Sequence, residues 1–469
     1  MRLGLYAGVL AVTLLGSAAG PQKPAVSPTS QQDETLRHFR ALVQIDTSNP
    51  PGNEVRIVEY LEKVLASDGI PSTRFALDPN RPNLVARLKG NGSKRPVLML
   101  AHTDVVGVQR EKWPVDPFGA ILRDGYVWGR GTTDDKDNLT ANLMTFLLMK
   151  RSGVALERDL IFLAESGEEA DPTGVGIRFM VDRHFDAIDA EFAIAEGNGA
   201  TIEDGRVRTV QISTTEKVPR RVRLIATGTS GHGSVPRLDN AVTHLASAVQ
   251  KIGTWETPMR LNQTTRMYFE KLASISTPEQ AARYRSLLGP QPSAAAQRYL
   301  AEHEPVHYSA LRTSLVPTML QAGIGPNVIP SVAEAVIDIR ILPDEDLASL
   351  TAQMSARIND PAVRIEPLPI TRPVGPPSPI DSSMYRAFED AALRIYPGAT
   401  VLPSMMNGAT DTAQLRARGV SSYGVGPAMT SDDFVRHGWH SDVERLPEAS
   451  LYQFVQFMWT AVIEIAVKK

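Results

Sequence analysis

The sequence predicts an α/β fold interrupted by an α+β insertion, and three observations predict it. Short apolar runs end abruptly in polar residues, helical patterns lie between those runs, and one long central segment alternates between apolar and polar residues. The runs are 97–101 (VLMLA), 160–164 (LIFLA) and 192–195 (FAIA). Continuous apolar runs of this length suit strands covered on both faces of a sheet. Between the first two lies the helical pattern of 138–150. Strand alternating with helix indicates an α/β sheet, whose ligands bind beyond the carboxyl ends of the strands. Polar residues stand at those ends in every case: His102, Thr103 and Asp104, then ESGEE, then Glu196 and Gly197.

The middle of the chain has a different pattern. Residues 221–227 suit a strand, and 239–252 a helix with Ala241, Leu245, Ala248 and Ile252 on one side. In 332–342, Ala333, Ala335, Ile337, Ile339 and Ile341 share one face and Glu334, Asp338 and Arg340 the other. That is a half-exposed strand of an antiparallel sheet. Residues 254–317 are helical in parts, without a pattern that places them. The Pro-rich stretch 366–379 reads as a linker back to the first domain, and a helix resumes over 383–396. The expected organisation is therefore 31–215 and 371–469 as two parts of a catalytic domain, with 216–370 inserted as a lid and dimerisation domain.

Composition narrows the function. The chain has 469 residues, more than one ordinary core accommodates. A net charge of −3 leaves no basic field for nucleic acid. Residues 1–20 carry Arg2, an apolar stretch from Leu3 to Leu15, and then Ser17, Ala18 and Ala19. That order is the pattern of a secretory signal peptide. It predicts a periplasmic or secreted protein with no membrane anchor after cleavage. Residues 20–30 read as a flexible mature N-terminus. There is no cysteine, so neither disulfides nor thiolate ligands are available.

The metal-capable residues fall at the strand ends: His102, Asp104, Asp134, Asp135, Glu168, Glu169, Glu196, His437 and His440. Imidazoles and carboxylates without thiolate suit a divalent ion such as zinc. Residues two apart on an extended segment share a face, so Asp104 is placed to accept from the ring N–H of His102 and fix its tautomer. Taken singly, His-x-Asp also describes a buried polar pair, Glu168–Glu169 a solvated turn, and Asp134–Asp135 a helix cap. The order and spacing of the whole set favour a metal site.

AHTDVV (101–106), WGRGTTDDK (128–136), SGEEAD (166–171), AEG (195–197) and HSDVERL (440–446) stand in the order of five motifs of a known family. The chain resembles the dizinc metallopeptidases that include aminoacylases, glutamate carboxypeptidase, succinyl-diaminopimelate desuccinylase and Gly-Xaa carboxypeptidases. The resemblance implies a zinc-peptidase-like α/β catalytic domain with two zinc ions, which cobalt or manganese can replace. It implies His102, Asp134 and Glu196 as ligands of one ion, and Asp134, Glu169 and His440 as ligands of the other. Asp104 would orient His102 and Glu168 would act as general base. His440 stands four before Glu444, as in the family's last motif; His437 is the competing candidate. By the same resemblance, His232 in GTSGHGSVP is a lid histidine that contacts the oxyanion, often from a partner subunit. Asn327 in GPNVIP and Arg340 would face the substrate carboxylate, and NGATD (407–411) resembles a glycine-rich active-site loop. Asp137 departs from the glycine often found after the loop lysine. The long lid leans toward the Gly-Xaa carboxypeptidase branch. The expected protein is an exported, homodimeric zinc hydrolase that cleaves a peptide or other amide next to a free carboxylate. An N-acyl-amino-acid amidohydrolase is the alternative. A non-catalytic binding relative is disfavoured by the intact ligand set.

Overall fold

The computed structural model describes residues 31–169 and 173–467. The expected signal segment 1–20, the tail 20–30 and the end of the third motif, Ala170 and Asp171, lie outside the described residues. No helix among the described residues is long and apolar enough to cross a membrane.

A large mixed sheet forms the centre. Its order runs Ser72–Phe75, Asn83–Leu88, Leu160–Glu165, Val97–His102, Phe192–Glu196, Ser421–Val425, Arg206–Glu216, Ala200–Glu203 and Ala428–Thr430, with Thr400–Met406 also paired to Arg206–Glu216. The three apolar runs of the sequence are its adjacent parallel strands: Val97–His102 pairs with Leu160–Glu165 on one side and with Phe192–Glu196 on the other. Their side chains are excluded from water on both faces. One face is covered by the helices Lys136–Ser152, Ser383–Ile395 and Glu448–Ala466, the other by Ile177–Arg183 and the Leu415 region. Leu160, Ile161, Phe162 and Leu163 are wholly buried, each worth about 1.5–3 kcal/mol relative to exposure. Lys136–Ser152 stops at Gly153, whose φ of 65° is the left-handed conformation that ends helices.

The chain leaves this sheet after Arg206–Glu216 and enters a second, antiparallel one at Val218–Thr227. That sheet runs in the order Ser314–Ala322, Val332–Ile341, Val218–Thr227, Val363–Pro367. The alternation seen in sequence is the observed burial: Ala333, Ala335, Ile337, Ile339 and Ile341 are buried against Ala241–Gly253 and Leu347–Ile358. The stretch without a legible pattern contains four helices, Gln263–Ile275, Pro278–Arg285, Ala294–His303 and Pro305–Ala310. They gather around Phe269, Tyr284 and Leu300 as a separate small core. They dock on the large sheet: Thr264 Oγ1 lies 2.9 Å from Thr214 Oγ1, and Lys271 Nζ donates to the carbonyl of Val401 at 3.1 Å.

One buried ion pair closes the large domain between distant parts of the chain. Arg130 and Glu444 are almost wholly buried and 2.6 Å apart. Glu444 also accepts from the backbone N–H of Thr133 at 2.8 Å and of Gly131 at 3.2 Å. The loop before Asp134 is thereby fixed to the segment that carries His440. Removing one member of such a pair leaves a buried charge without a partner. Glu444→Ala is expected to lower stability by about 3–5 kcal/mol, read as a large fall in the thermal unfolding midpoint. An unchanged midpoint would show that the pair does not fix this loop.

Candidate metal centre and substrate cleft

The site forms where the parallel strands end. His102 is the last residue of its strand, in register with Glu165, and Glu196 ends the neighbouring strand. Asp134 closes the loop before the helix Lys136–Ser152, and Glu168 and Glu169 follow Leu160–Glu165. His440 arrives from the C-terminal region with φ 63°. A left-handed non-glycine residue costs about 1–2 kcal/mol, and here the surrounding contacts hold it. Donor atoms of His102, Asp134 and Glu196 lie within 4.8 Å of one another, as do those of Asp134, Glu169 and His440. Asp134 belongs to both groups: its Oδ1 is 3.0 Å from His102 Nε2 and its Oδ2 is 3.1 Å from His440 Nε2.

The two histidines near the C-terminus separate cleanly. His440 reaches Asp134 and Glu169, each at 3.1 Å. His437 instead packs edge-on against Trp128, with Asp432 3.8 Å from its Nε2. Asp135 does not join the cluster through a ligand position, and its side chain makes no capping hydrogen bond to the helix that follows it. Its Oδ2 accepts from the backbone N–H of His102 at 3.1 Å, which explains why two adjacent acids are needed.

Asp104 differs from the expectation. His102 Nδ1 donates to the backbone carbonyl of Asp104 at 3.0 Å, while the Asp104 carboxylate stands 3.5 Å away. That carboxylate is otherwise engaged. Its oxygens accept from the backbone N–H groups of Gly167, Glu168 and Glu169 at 3.0, 3.1 and 3.2 Å, and from Asn49 Nδ2 at 2.7 Å. Asp104 therefore holds the loop that presents both glutamates. It turns an adjacent pair into two separately aimed groups.

Glu169 meets His440, whereas Glu168 is paired with Arg372. Arg372 also approaches Asp411 of the 407–411 loop at 3.4 Å. Burial pushes Glu168 up to about 8, against the opposing charge of Arg372. Burial, with repulsion from Glu168, Asp135 and Asp134, raises Glu196 well above the usual carboxylate range. Burial and Asp134 raise Glu169. Hydrogen bonds to Asp134 and Glu169 raise His440 to about 10. Asp134 is held below its ordinary value: burial opposes ionisation, but His102 and His440 outweigh it. The pattern is that of crowded carboxylates whose charge needs positive partners.

A cleft of about 860 Å³ opens over Asp134, Glu168, Glu169 and His440. Arg340 lines it, as expected from the polar face of its strand, together with Arg221 from the neighbouring strand. The two guanidinium groups share one carboxylate, Asp338, at 2.8 and 3.2 Å, so this wall keeps net positive charge. His232 and Asn327 do not line the cleft. His232 is exposed and bonded to Ser234 Oγ at 2.7 Å, and Asn327 accepts from the N–H of Gly233 at 2.8 Å. His232 pairs with Val328 across the short strands Gly231–His232 and Val328–Ile329, and Asn327 immediately precedes the second. Sequence reasoning missed Arg372, Arg221 and Asn49. Arg372 lies in the Pro-rich stretch taken as a linker, where no motif marks it. Arg221 opens the stretch read as a strand, and its alternation with buried Val222 was the available signal.

Known proteins share both sequence and fold with this chain. It is 28% identical to a probable carboxypeptidase S-like 2 of Dictyostelium discoideum over 339 residues, which is 70% of this chain and 64% of that protein. The match thus spans less than two thirds of that relative. It is 26% identical over 431 residues to the N-fatty-acyl-amino acid synthase/hydrolase of Bos taurus, covering 87% of this chain and 84% of the relative. The crystal structure of an M20 family metallo-carboxypeptidase from Sulfolobus solfataricus has the same fold, with a TM-score of 0.69 at 17% identity over 92% of this chain and all of that one. The model of peptidase family M20/M25/M40 matches residues 98–464, and the chain belongs to that family of metallohydrolases.

Proposed function

We propose that the protein hydrolyses the amide bond of a small substrate whose amine half carries a free carboxylate. The observation that carries this reading is the pair of donor groups sharing Asp134, set beside a wall bearing Arg340 and Arg221. His102, Asp134 and Glu196 would hold one divalent ion, and Asp134, Glu169 and His440 the other. The donors fit such ions: they are imidazoles and carboxylates without thiolate, the buried acids repel one another, and zinc, cobalt or manganese suits the set. When bound, the ions supply Lewis-acid polarisation of the scissile carbonyl and lower the pKa of an attacking water.

The chain's own groups do the rest. Glu168 takes the proton of the attacking water and delivers it to the leaving amine, a role suited to a carboxyl near neutral pH. Asp104 fixes the backbone on which Glu168 stands, and Arg372 fixes its side chain. Arg340 and Arg221 receive the substrate carboxylate and so place the amide over the cluster. The relatives' names, a carboxypeptidase and an N-fatty-acyl-amino acid synthase/hydrolase, support either a peptide or an N-acyl amino acid as substrate. Export is part of the proposal, supported by the order of Arg2, the apolar stretch and Ser17, Ala18 and Ala19.

The lid supports self-association. Ser314–Ala322 is an edge strand of its sheet, and Val316, Met319, Leu320 and Ile324 are exposed on or beside it. An exposed apolar edge is a template for pairing, most simply with a second copy about a two-fold axis. His232 and Asn327, absent from the cleft of their own chain, would then serve the cleft of the other copy.

Three outcomes test the reading. Glu168→Gln keeps bound metal but lowers kcat by about 10²–10⁴-fold, whereas His440→Ala loses metal on dialysis; elemental analysis beside a turnover assay separates the two. A Glu168→Gln enzyme of normal kcat would remove Glu168 from the mechanism. Amidating the carboxylate of a good substrate lowers kcat/KM by orders of magnitude. Arg340→Ala erases most of that difference between acid and amide, because the directional charge-assisted contact that only the acid can make is then lost. Equal rates on acid and amide would overturn the carboxylate requirement. Light scattering gives a dimer, and Leu320→Asp shifts it to a monomer of lower activity; a fully active monomer would refute the shared site.

A further inference from the structure

The chain crosses between the large sheet and the lid sheet twice, and the two crossings touch. It leaves the large sheet at Glu216 and enters the lid at Val218. It returns after Val363–Pro367 through a stretch that is neither helix nor strand. On the lid side of that stretch Leu368 N–H donates to the carbonyl of Arg221 at 2.9 Å. On the other side Ser378 N–H donates to the carbonyl of Thr214 at 2.8 Å, back on the large sheet. Arg372 stands between these two moorings.

Arg372 is held from both directions. Its carbonyl accepts from Arg220 Nη1 at 2.9 Å, and Arg220 belongs to the lid strand Val218–Thr227. Its guanidinium reaches the opposite way, to Glu168 and, at 3.4 Å, to Asp411. Asp411 stands on a fixed loop. Glu216 accepts from the hydroxyls of Thr410 and Thr412 at 2.8 and 3.0 Å and from the N–H of Thr410 at 3.2 Å, and Arg416 lies 3.1 Å from it. The side chain of Arg372 is thus anchored on the catalytic domain and its backbone on the lid.

Arg220 is the unusual member of this set. It is buried, it donates to the carbonyls of Pro219 and Arg372 at 2.8 and 2.9 Å, and burial pushes its pKa down with no acid to oppose the shift. A buried cation without a carboxylate is costly to keep, and what this one holds is the junction of the two crossings. Its neighbour Arg221 lines the cleft with Arg340, and Pro219 between them is in register with Arg340. A continuous series of contacts therefore runs from the arginine wall through Arg220 and Arg372 to Glu168.

Resting on the amide-hydrolase reading above, we propose that Arg372 is a positioning residue through which the lid sets Glu168, so that a carboxylate bound at Arg340 and Arg221 raises kcat as well as holding the substrate. A contact equally strong in the ground and transition states shows only in KM. A shift of the lid that moves Arg372 re-aims a base whose placement matters to within about 1 Å, and that shows in kcat.

The experiment measures kcat and KM separately for a good substrate and for the same compound with its carboxylate amidated. In the unaltered protein kcat on the acid exceeds kcat on the amide by about fivefold or more, the lower end of couplings between sites, and KM differs as well. In Arg220→Met the kcat difference disappears while the KM difference stays, because Arg340 and Arg221 are intact. Arg220→Lys, which can still donate to the carbonyl of Arg372, restores it. Discrimination confined to KM in the unaltered protein, or a kcat difference that survives Arg220→Met, overturns the coupling and leaves the carboxylate requirement in place. Equal kcat and equal KM on acid and amide fail that requirement, and the coupling falls with it. Hydrogen exchange decides the coupling without turnover or a variant. Free leucine slows amide exchange in 166–169 and 407–411 at least twofold more than leucinamide does; equal exchange with the two overturns the proposal.

Discussion

Carboxylates that would repel one another are gathered at the ends of three adjacent strands, and the rest of the catalytic domain is arranged around that electrostatic problem. Two like charges 4 Å apart at an effective dielectric of about 20 cost on the order of 4 kcal/mol, and Asp134, Glu168, Glu169 and Glu196 meet within one cleft. The structure offsets the crowding with His102 on Asp134, His440 between Asp134 and Glu169, and Arg372 between Glu168 and Asp411. Buried strands supply rigid positions for those groups. Asp104 and Glu444, which belong to neither donor group, fix the two loops that carry Glu168, Glu169 and Asp134. The metal-capable geometry is thus held by acids that spend their lone pairs on backbone N–H groups.

Much of this was legible because sequence and geometry coincide at strand ends. An apolar run that stops at His102, at ESGEE or at Glu196 marks both a buried strand and the point where a side chain can face a ligand. The lid strand Val332–Ile341 was legible for the same reason, since its alternation is its burial. The helices of 263–310 were not. Phe269, Tyr284 and Leu300 signal apolar faces, but nothing in their spacing says that the group docks on the large sheet rather than on the lid. Arg372 was invisible because its role depends on where a proline-rich segment passes, and not on any local pattern. Resemblance favoured His440 over His437 by its distance from Glu444, and it is His440 that lies 3.1 Å from both Asp134 and Glu169. It also named His232 and Asn327, neither of which lines the cleft of this chain.

The cleft sets a positively charged wall, Arg340 and Arg221, beside the metal-capable cluster. Arg340 and Arg221 share a single aspartate, which leaves the pair able to accept an anion without leaving either arginine unpaired when the cleft is free.

The union of Glu444 with Arg130, Gly131 and Thr133 has a consequence for how the site comes into being. Residues more than three hundred positions apart must meet before the loop bearing Asp134 is fixed and before His440 can reach it. Loop closure over such a separation is entropically costly and late in folding. During synthesis from the N-terminus, His102, Asp134 and Glu196 emerge long before His440, so a nascent chain can present the residues of the first donor group alone, with the loop of Asp134 not yet fixed by Glu444. The second group exists only once the final helix has closed against the sheet. Ions held by both groups would therefore enter a finished fold, and binding of the second would stabilise the closed chain rather than any partly made form of it.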